Sequence, residues 1–326
     1  MTKLIIQIPC LNEEESLPVT LSSLPTKIEG IDKIEILIID DGSTDKTAEI
    51  AKKYGAHHII RFARHKGLSE AFMAGMDSAL KLGADIIVNT DADNQYCADD
   101  IGKLIRPIME GKAEIVVGDR QITKVEHFSG TKKLLQKLGS WVVRQLSGTS
   151  IPDTTSGFRA FSREAALKLN VLSRFTYTLE TIIQAGKKNI AICHVPVRTN
   201  PTTRDSRLFS SIWSYIKRSL STILRIYTIY EPLKIFMYIG GSVFLAGLIL
   251  LGRFLYFYFF NIRPYGHIQS VIIAGVLLII GLLIGAIGIL ADLISANRKL
   301  IEESLYRIKK IELQHTGDRE RPGKDK

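Results

Sequence analysis

Short apolar runs recur along the first two thirds of the chain, and most end in a polar or acidic cluster. Leu4–Pro9, Ile34–Ile39, Ile59–Ile60, Asp85–Thr90, Glu114–Val117 and Ile190–Val195 read as strands. Several of these are apolar without alternation, as strands covered on both faces are. Helices are predicted between them: after Glu13–Glu15, with Asn12 as cap, then around Ala48–Ala51, Leu68–Leu82 and Asp99–Met109. Further on, helical patterns cover Lys132–Leu146, Arg163–Leu169 and Thr178–Lys187, and Ser156–Arg159 leads into a short strand. Alternating strands and helices predict an α/β fold, a Rossmann-like and mostly parallel sheet with helices on both faces.

Ligands of such sheets sit beyond the carboxyl ends of the strands. Asn12, Asp40, Asp41, Asp91, Asp93 and Arg120 all fall at those ends.

The pattern then changes. Leu208–Tyr230 is apolar and aromatic with Lys217, Arg218 and Arg225 interspersed, which predicts an amphipathic helix on a membrane surface. Ile235–Gly252 is uncharged, as is Ser270–Ala291, and with the aromatic run that follows Arg253 each reaches the ~20 residues needed to span a bilayer. Only Asn261–Gln269 separates them, so a two-helix transmembrane hairpin is expected. Basic residues flank the hairpin on both outer sides, while its loop holds Arg263 alone, which places both termini and the catalytic domain in the cytoplasm. From Leu293 to Ile311 apolar residues recur at helical spacing, as in a helix that packs on the soluble domain or on another copy, a homo-oligomer. The expected divisions are 1–206, a cytoplasmic domain; 207–232, the interfacial helix; 233–291, the hairpin; and 292–326, a C-terminal helix and polar tail.

Charge and composition narrow the partners. Forty-three Lys and Arg against 33 Asp and Glu give a formal net charge of +10. That excess suits anionic lipid and phosphate-bearing ligands, and with a membrane hairpin present it is assigned to those rather than to nucleic acid. Cys10, Cys97 and Cys193 are too scattered for a metal site and read as packing residues in a reducing compartment. His57-His58 lacks metal-ligand spacing, and Trp141 and Trp213 read as core or interface residues. The phosphate loop G-x-x-x-x-G-K-[ST], the dinucleotide pattern G-x-G-x-x-G and the hydrolase elbow G-x-S-x-G are all missing from the sequence.

The chemistry concentrates at Asp91-Ala92-Asp93-Asn94-Gln95, just past a strand end. Two carboxylates two residues apart at a turn can converge on one hard divalent cation, Mg²⁺ or Mn²⁺, with substrate phosphates completing its shell. The competing interpretation is a polar turn capping the next helix. Asp40-Asp41-Gly42-Ser43 has the same two readings, as helix start or as ligand site, and Ser43 and Asp45 fit either. Asp153, after Pro152, is the carboxylate best placed to orient an acceptor, or else a turn former.

Ile8-Pro9-Cys10-Leu11-Asn12-Glu13, Ile39-Asp40-Asp41-Gly42-Ser43, Asp91-Ala92-Asp93-Asn94-Gln95, Gly118-Asp119-Arg120 and Ser156-Gly157-Phe158-Arg159 together resemble family 2 glycosyltransferases with the GT-A fold. The nearest resemblance is to polyprenyl-phosphate (dolichol-phosphate) sugar synthases with two transmembrane helices. It implies that Pro9, Leu11, Glu13, Ile39 and Asp41 line the nucleotide pocket and that Asp91 and Ala92 meet ribose or phosphate. It implies further that Asp93 and Gln95, beside Asp91, hold the metal, and that Arg120 contacts phosphate. Lys132, Arg204 and Ser206 would receive the lipid phosphate, with Arg198 only part of a solvated basic face. Mannose synthases of this group typically read Asp-Ala-Asp-Leu-Gln before a Pro-containing turn. Here Asn94 and Tyr96-Cys97-Ala98 stand in those places, so the donor need not be GDP-mannose. UDP-glucose and UDP-N-acetylglucosamine fit equally, as do dolichyl and undecaprenyl acceptors.

The expected activity is an inverting, metal-dependent transfer of one hexose from a nucleotide-sugar to a polyprenyl phosphate, with Asp91, Asp93, Arg120 and Asp153 as its catalytic residues. A membrane-anchored nucleotidyltransferase making nucleotide-sugars, and a non-catalytic sugar- or lipid-binding assembly protein, are the alternatives.

Overall fold

The computed structural model describes residues 1–121, 130–172, 176–201, 221, 224–225, 227–260 and 268–319, with only the backbone of 130–138 and 316–319. It falls into two compact units, Met1–Ile223 with Ser304–Lys326, and Leu224–Glu303.

The first unit is built on β1 (Lys3–Cys10), β2 (Lys33–Asp40), β3 (His58–Arg61), β4 (Ile86–Asn89), β5 (Ile115–Asp119), β6 (Arg159–Ser162) and β7 (Ile192–Pro196). They form one sheet in the order β3-β2-β1-β4-β6-β5-β7. All pairings are parallel except those of β6, which runs antiparallel to both β4 and β5. The apolar runs divide by period two between the faces. Leu4, Ile6, Ile8 and Ile38 pack on one side with α1 (Leu17–Ser23) and α4 (Ile101–Met109). Ile5, Leu37, Ile39 and Ile87 pack on the other with α3 (Leu68–Lys81) and α6 (Arg163–Lys168). The remaining helices of this unit are α2 (Thr47–Lys53), α5 (Gly130–Ser147) and α7 (Tyr177–Lys187).

Two local expectations are corrected. Asn12 does not cap a helix over Glu13–Glu15: it lies at φ 56°, and the helix begins at Leu17, with Pro18 in its first turn. Asn tolerates that left-handed conformation, and its Oδ1 accepts a hydrogen bond from Thr44 N at 2.9 Å, tying the first strand's exit to the second's. Of the two readings of Trp141, core and interface, the core one is corrected: it is half exposed on α5 and belongs to no core of the described residues. His57 and His58 are structural, as their spacing implied: Ile36 N donates to His57 Nδ1, and His58 meets Glu35 at 2.9 Å.

Glu35 also pairs with Lys3 and Lys33, each at 2.7 Å. Burial acts to raise its carboxyl, but hydrogen bonds from Lys3, Lys33 and His58 outweigh it and hold the group down at about 2. A depressed folded-state value stabilises the fold above the unfolded carboxyl's range, and that contribution is lost as pH falls from about 4.5 towards 2. Glu35→Gln should therefore cost roughly 1–3 kcal/mol in urea unfolding at pH 7, a deficit that shrinks as pH falls below about 4.5 and vanishes only below about pH 2.

The second unit contains α8 (Pro232–Phe259) and most of α9 (Ile268–Arg319). At ~1.5 Å per residue, the 28 residues of α8 reach about 42 Å, enough to cross a ~30 Å hydrocarbon core. Both helices are long and apolar enough to span a membrane, and little of either is covered by the chain itself. Glycines let them approach closely: a Cβ on Gly281 would lie 2.7 Å from Phe244 Cβ, and one on Gly240 would lie 2.9 Å from Gly281 O. The expected surface helix over Leu208–Tyr230 lies mostly outside the described residues; Tyr227–Tyr230 is helical.

The end of α9 belongs to the first unit. There Tyr306 and Leu313 pack on the α3 face, Tyr306 OH donates to Glu164 at 2.8 Å, and Lys309 meets Asp77 at 2.8 Å.

Candidate active site

Parallel strands deliver their last residues to one edge of the sheet. Asp40 closes β2, Asp41 and Gly42 follow it, Asp91 lies just past β4, and Asp119-Arg120 end β5. The reversed β6 completes the set. Its first residue, Arg159, pairs in register with Asn89 at the end of β4, so the loop 153–158 arrives at the same edge.

Asp41 is buried and its carboxylate is occupied by the loop after β3. Oδ1 accepts from Lys66 N at 2.7 Å, and Oδ2 from Gly67 N at 2.9 Å, with His65 Nδ1 at 2.8 Å from Oδ2. Gly42 is required there, since at φ 76° its Cβ would lie 2.6 Å from the backbone of Arg64. Asp45 behaves as a turn former, accepting from Thr47 N and Glu14 N. Pro9 and Leu11 lie half-buried at the same edge, with Glu13. Ile39 is fully buried in the core, one residue before the end of β2.

In the acidic turn, Asp93 Oδ1 accepts from Gln95 N at 3.0 Å, and Thr20 Oγ1 donates to Ala92 O at 2.8 Å. Burial and then the neighbouring Asp93 carboxylate push Asp91 up to about 7, against the pull of Arg120. Two like charges held together with incomplete compensation fit a hard divalent cation. Among the described residues no group of three His, Cys, Asp or Glu side chains forms a metal cage, so substrate oxygens would have to complete the shell.

Arg120 and Asp153, separate candidates in the sequence, are one unit in the structure. Arg120 Nε donates to Asp153 Oδ2 at 2.7 Å and Nη2 to Oδ1 at 3.0 Å, a bidentate pair that Thr155 Oγ1 joins at 2.8 Å. Burial acts to raise the Asp153 carboxyl, but the guanidinium holds it below the usual range. Asp153 also accepts from Thr155 N, so it forms the turn as well as the ion pair.

Several residues with no sequence signal hold this arrangement. Asn89 Nδ2 donates to Gly157 O at 2.9 Å and to Tyr177 OH at 2.8 Å, and Gly157 N donates to Tyr96 OH at 3.0 Å. Tyr96 stacks on Phe158, and Asn94 adopts φ 55°, which accounts for both departures from the family pattern. A leucine at 94 would be strained in that conformation. Arg159 is fully buried and bonds Ser156 O, Thr154 O, Thr178 O and Thr181 Oγ1, all uncharged acceptors; burial pushes it down to about 10. Arg198 is exposed, as expected of a solvated basic face, and it also pairs with buried Asp100 at 3.0 Å. The side chain of Lys132, and Arg204 and Ser206, lie outside the described residues.

Gly157 is where space decides. A Cβ would lie 2.9 Å from Asp91 Oδ2 and 3.0 Å from Oδ1. Gly157→Ala is expected to displace that carboxylate and lower kcat roughly 10–100-fold while the melting temperature shifts little, as steady-state kinetics and calorimetry would show.

Residues 5–169 match Glycosyl transferase family 2. The chain belongs to that family. It is 34% identical over 217 residues to the UDP-N-acetylglucosamine–dolichyl-phosphate N-acetylglucosaminyltransferase of Methanococcus voltae, covering 59% of this chain and 83% of that one. Glycosyltransferase AglJ of Haloferax volcanii is 29% identical over 317 residues, covering 94% and 97%. Among solved structures, glucosyl-3-phosphoglycerate synthase of Mycobacterium tuberculosis with Mn²⁺, UDP-glucose and phosphoglyceric acid superposes with a TM-score of 0.56 at 20% identity, over 69% of this chain and 80% of that one. The chain is thus a glycosyltransferase with a GT-A-like sheet and two helices fit to span a membrane.

Proposed function

We propose that this glycosyltransferase moves one hexose from a nucleotide-sugar to a polyprenyl phosphate at the cytoplasmic membrane face, with inversion. The observation that carries the proposal is the Asp91–Gln95 turn and the Arg120–Asp153 pair at one sheet edge, in a chain that also carries a membrane hairpin. Relatives named for dolichyl-phosphate and polyprenol acceptors support that acceptor class.

Asp93 and Gln95, with Asp91, would hold Mg²⁺ or Mn²⁺, which when bound supplies positive charge against the departing nucleoside diphosphate. Arg120 adds fixed positive charge on the same side, and Asp153 holds its guanidinium in orientation. A lipid monophosphate, with a second pKa of about 6, is largely dianionic at pH 7 and needs no strong general base. The positive residues outside both spans support a cytoplasmic location for the termini and the catalytic domain, and Lys132, Arg204 and Ser206 are candidates to receive the lipid phosphate.

The test incubates purified protein with polyprenyl phosphate, Mg²⁺ or Mn²⁺ and a panel of UDP- and GDP-sugars, with mass spectrometry of the lipid. A glycosyl phospholipid that disappears with chelator is the expected product. No glycolipid with any donor would remove the proposal, and pyrophosphate release from a nucleoside triphosphate would favour a nucleotidyltransferase.

A further inference from the structure

Arg159 opens β6 with its side chain fully buried, and among the described residues no carboxylate pairs with it. Its guanidinium donates through Nε to Ser156 O at 2.8 Å and through Nη2 to Thr154 O at 2.9 Å. Nη1 donates to Thr178 O at 2.8 Å and to Thr181 Oγ1 at 2.6 Å. These bonds pin the loop 153–158 to the start of α7, but a neutral donor could make bonds of the same kind. What they leave unexplained is the charge, because a buried guanidinium without a counter-charge is costly. Burial lowers it to about 10, so it is charged at pH 7. Its place in the fold is next to the candidate site. Thr154 and Ser156 flank Thr155, whose hydroxyl Arg120 meets at 2.8 Å, and the next residue, Gly157, lies against the Asp91 carboxylate.

We infer that Arg159 is a second fixed positive charge of the donor site, set behind the 153–158 loop, which strengthens binding of an anionic nucleotide without touching it, given that this edge holds a nucleotide-sugar. An anionic donor arriving there meets the carboxylates of Asp91, Asp93 and Asp153. Arg120 is already paired with the last of these, at 2.7 Å. Arg159 is the cation those carboxylates leave unpaired. Its field reaches the ligand because a buried charge is screened far less than a surface one. At an effective dielectric of about 20, a unit charge ~10 Å away changes the binding of a unit anion by roughly 10-fold. A side chain needed only as a pin would not have to be charged, since an amide donates to carbonyls without the cost of burying an ion.

The test compares Arg159→Lys, which keeps the charge and loses the planar fork, with Arg159→Gln, which keeps a donor and loses the charge. UDP and UMP, and GDP and GMP, are titrated calorimetrically into the full-length protein in detergent at pH 7, with chelator present so that a metal does not enter the comparison. The diphosphate carries about one more negative charge than the monophosphate. Arg159→Gln should therefore lower the ratio of diphosphate to monophosphate affinity roughly 10-fold, while Arg159→Lys stays within about 3-fold of the parent. Arg159→Met, neutral and of similar length, should give the same drop as Arg159→Gln, and urea unfolding of all three variants reports the lost hydrogen bonds separately. A pin without an electrostatic role would weaken both nucleotides alike, or would lose as much in Arg159→Lys as in Arg159→Gln. Either result, or a parent that binds none of the four nucleotides, would overturn the inference. The expected binding pattern with no glycolipid from any donor would instead remove the transfer reading and leave the role of Arg159 standing.

Discussion

Asp93→Ala is expected to lower sugar transfer at saturating substrates by roughly 10³-fold, about 4 kcal/mol of transition-state stabilisation. The carboxylate does little for the fold: the hydrogen bond it accepts from Gln95 N lies inside the same turn. Loss of that bond costs about 0.5–1.5 kcal/mol, so the variant should melt within a few degrees of the parent. Activity would fall because the leaving diphosphate loses the charge that neutralises it. The chelated parent should fall to the same level, and adding chelator to the variant should change nothing further. Mn²⁺ binding followed by paramagnetic resonance, with UDP present, gives a readout that does not depend on turnover: the variant should bind far more weakly. Asp91→Asn should differ in kind. It removes the more buried of two crowded carboxylates, so it relieves the cost of burying that charge beside Asp93 while weakening the site. Asp93→Ala with undiminished turnover would take the metal out of the mechanism.

How far the sequence alone reached depended on whether a residue's role was local. The strands were legible because apolar runs of four to eight residues bounded by polar clusters have few other uses. The acidic turn after β4 and Arg120 after β5 were legible because strand ends converge in a parallel sheet. Partnerships across distance were not. Arg120 and Asp153 are 33 residues apart, and nothing in either segment says that a reversed strand, β6, brings them into contact. Tyr96 and Asn94 looked like departures from a pattern. In the fold they are the hydroxyl that receives Gly157 N and a backbone carbonyl, at a left-handed residue, that Asn200 Nδ2 reaches at 2.8 Å. Arg198 is solvated as the basic chain around it suggested, but nothing there says that Asp100, 98 residues away in sequence, lies buried beneath it as its partner. The Asn12 cap failed for a different reason. Cap preference is a weak local bias, and the hydrogen bond to the Thr44 loop overrode it.

Asp153→Ala is expected to destabilise the protein by about 3–5 kcal/mol and to abolish transfer, whereas removing both members of its ion pair should restore the fold without the chemistry. In the pair, Arg120 retains 9% of its side-chain exposure and Asp153 1%. Deleting the carboxylate leaves a guanidinium that cannot lose its proton, buried without its counter-charge, and that desolvation is what costs. Arg120→Met leaves the carboxylate instead, which can take up a proton, so it should cost less, with the deficit easing as pH falls. The double variant Arg120→Met/Asp153→Leu leaves no charge behind and should unfold within ~1–2 kcal/mol of the parent. Its transfer activity should still be absent, because the charge facing the diphosphate is gone whether or not the fold is intact. Urea unfolding and glycolipid formation, measured on all four proteins, separate the two effects. If the double variant recovered activity along with stability, the pair would be a structural strut, and the positive charge opposite the leaving group would have to come from elsewhere. Asp153→Asn sharpens the division: it keeps the shape and one acceptor oxygen for Arg120, so transfer falling much further than stability would show that Asp153 acts by charge on Arg120's orientation.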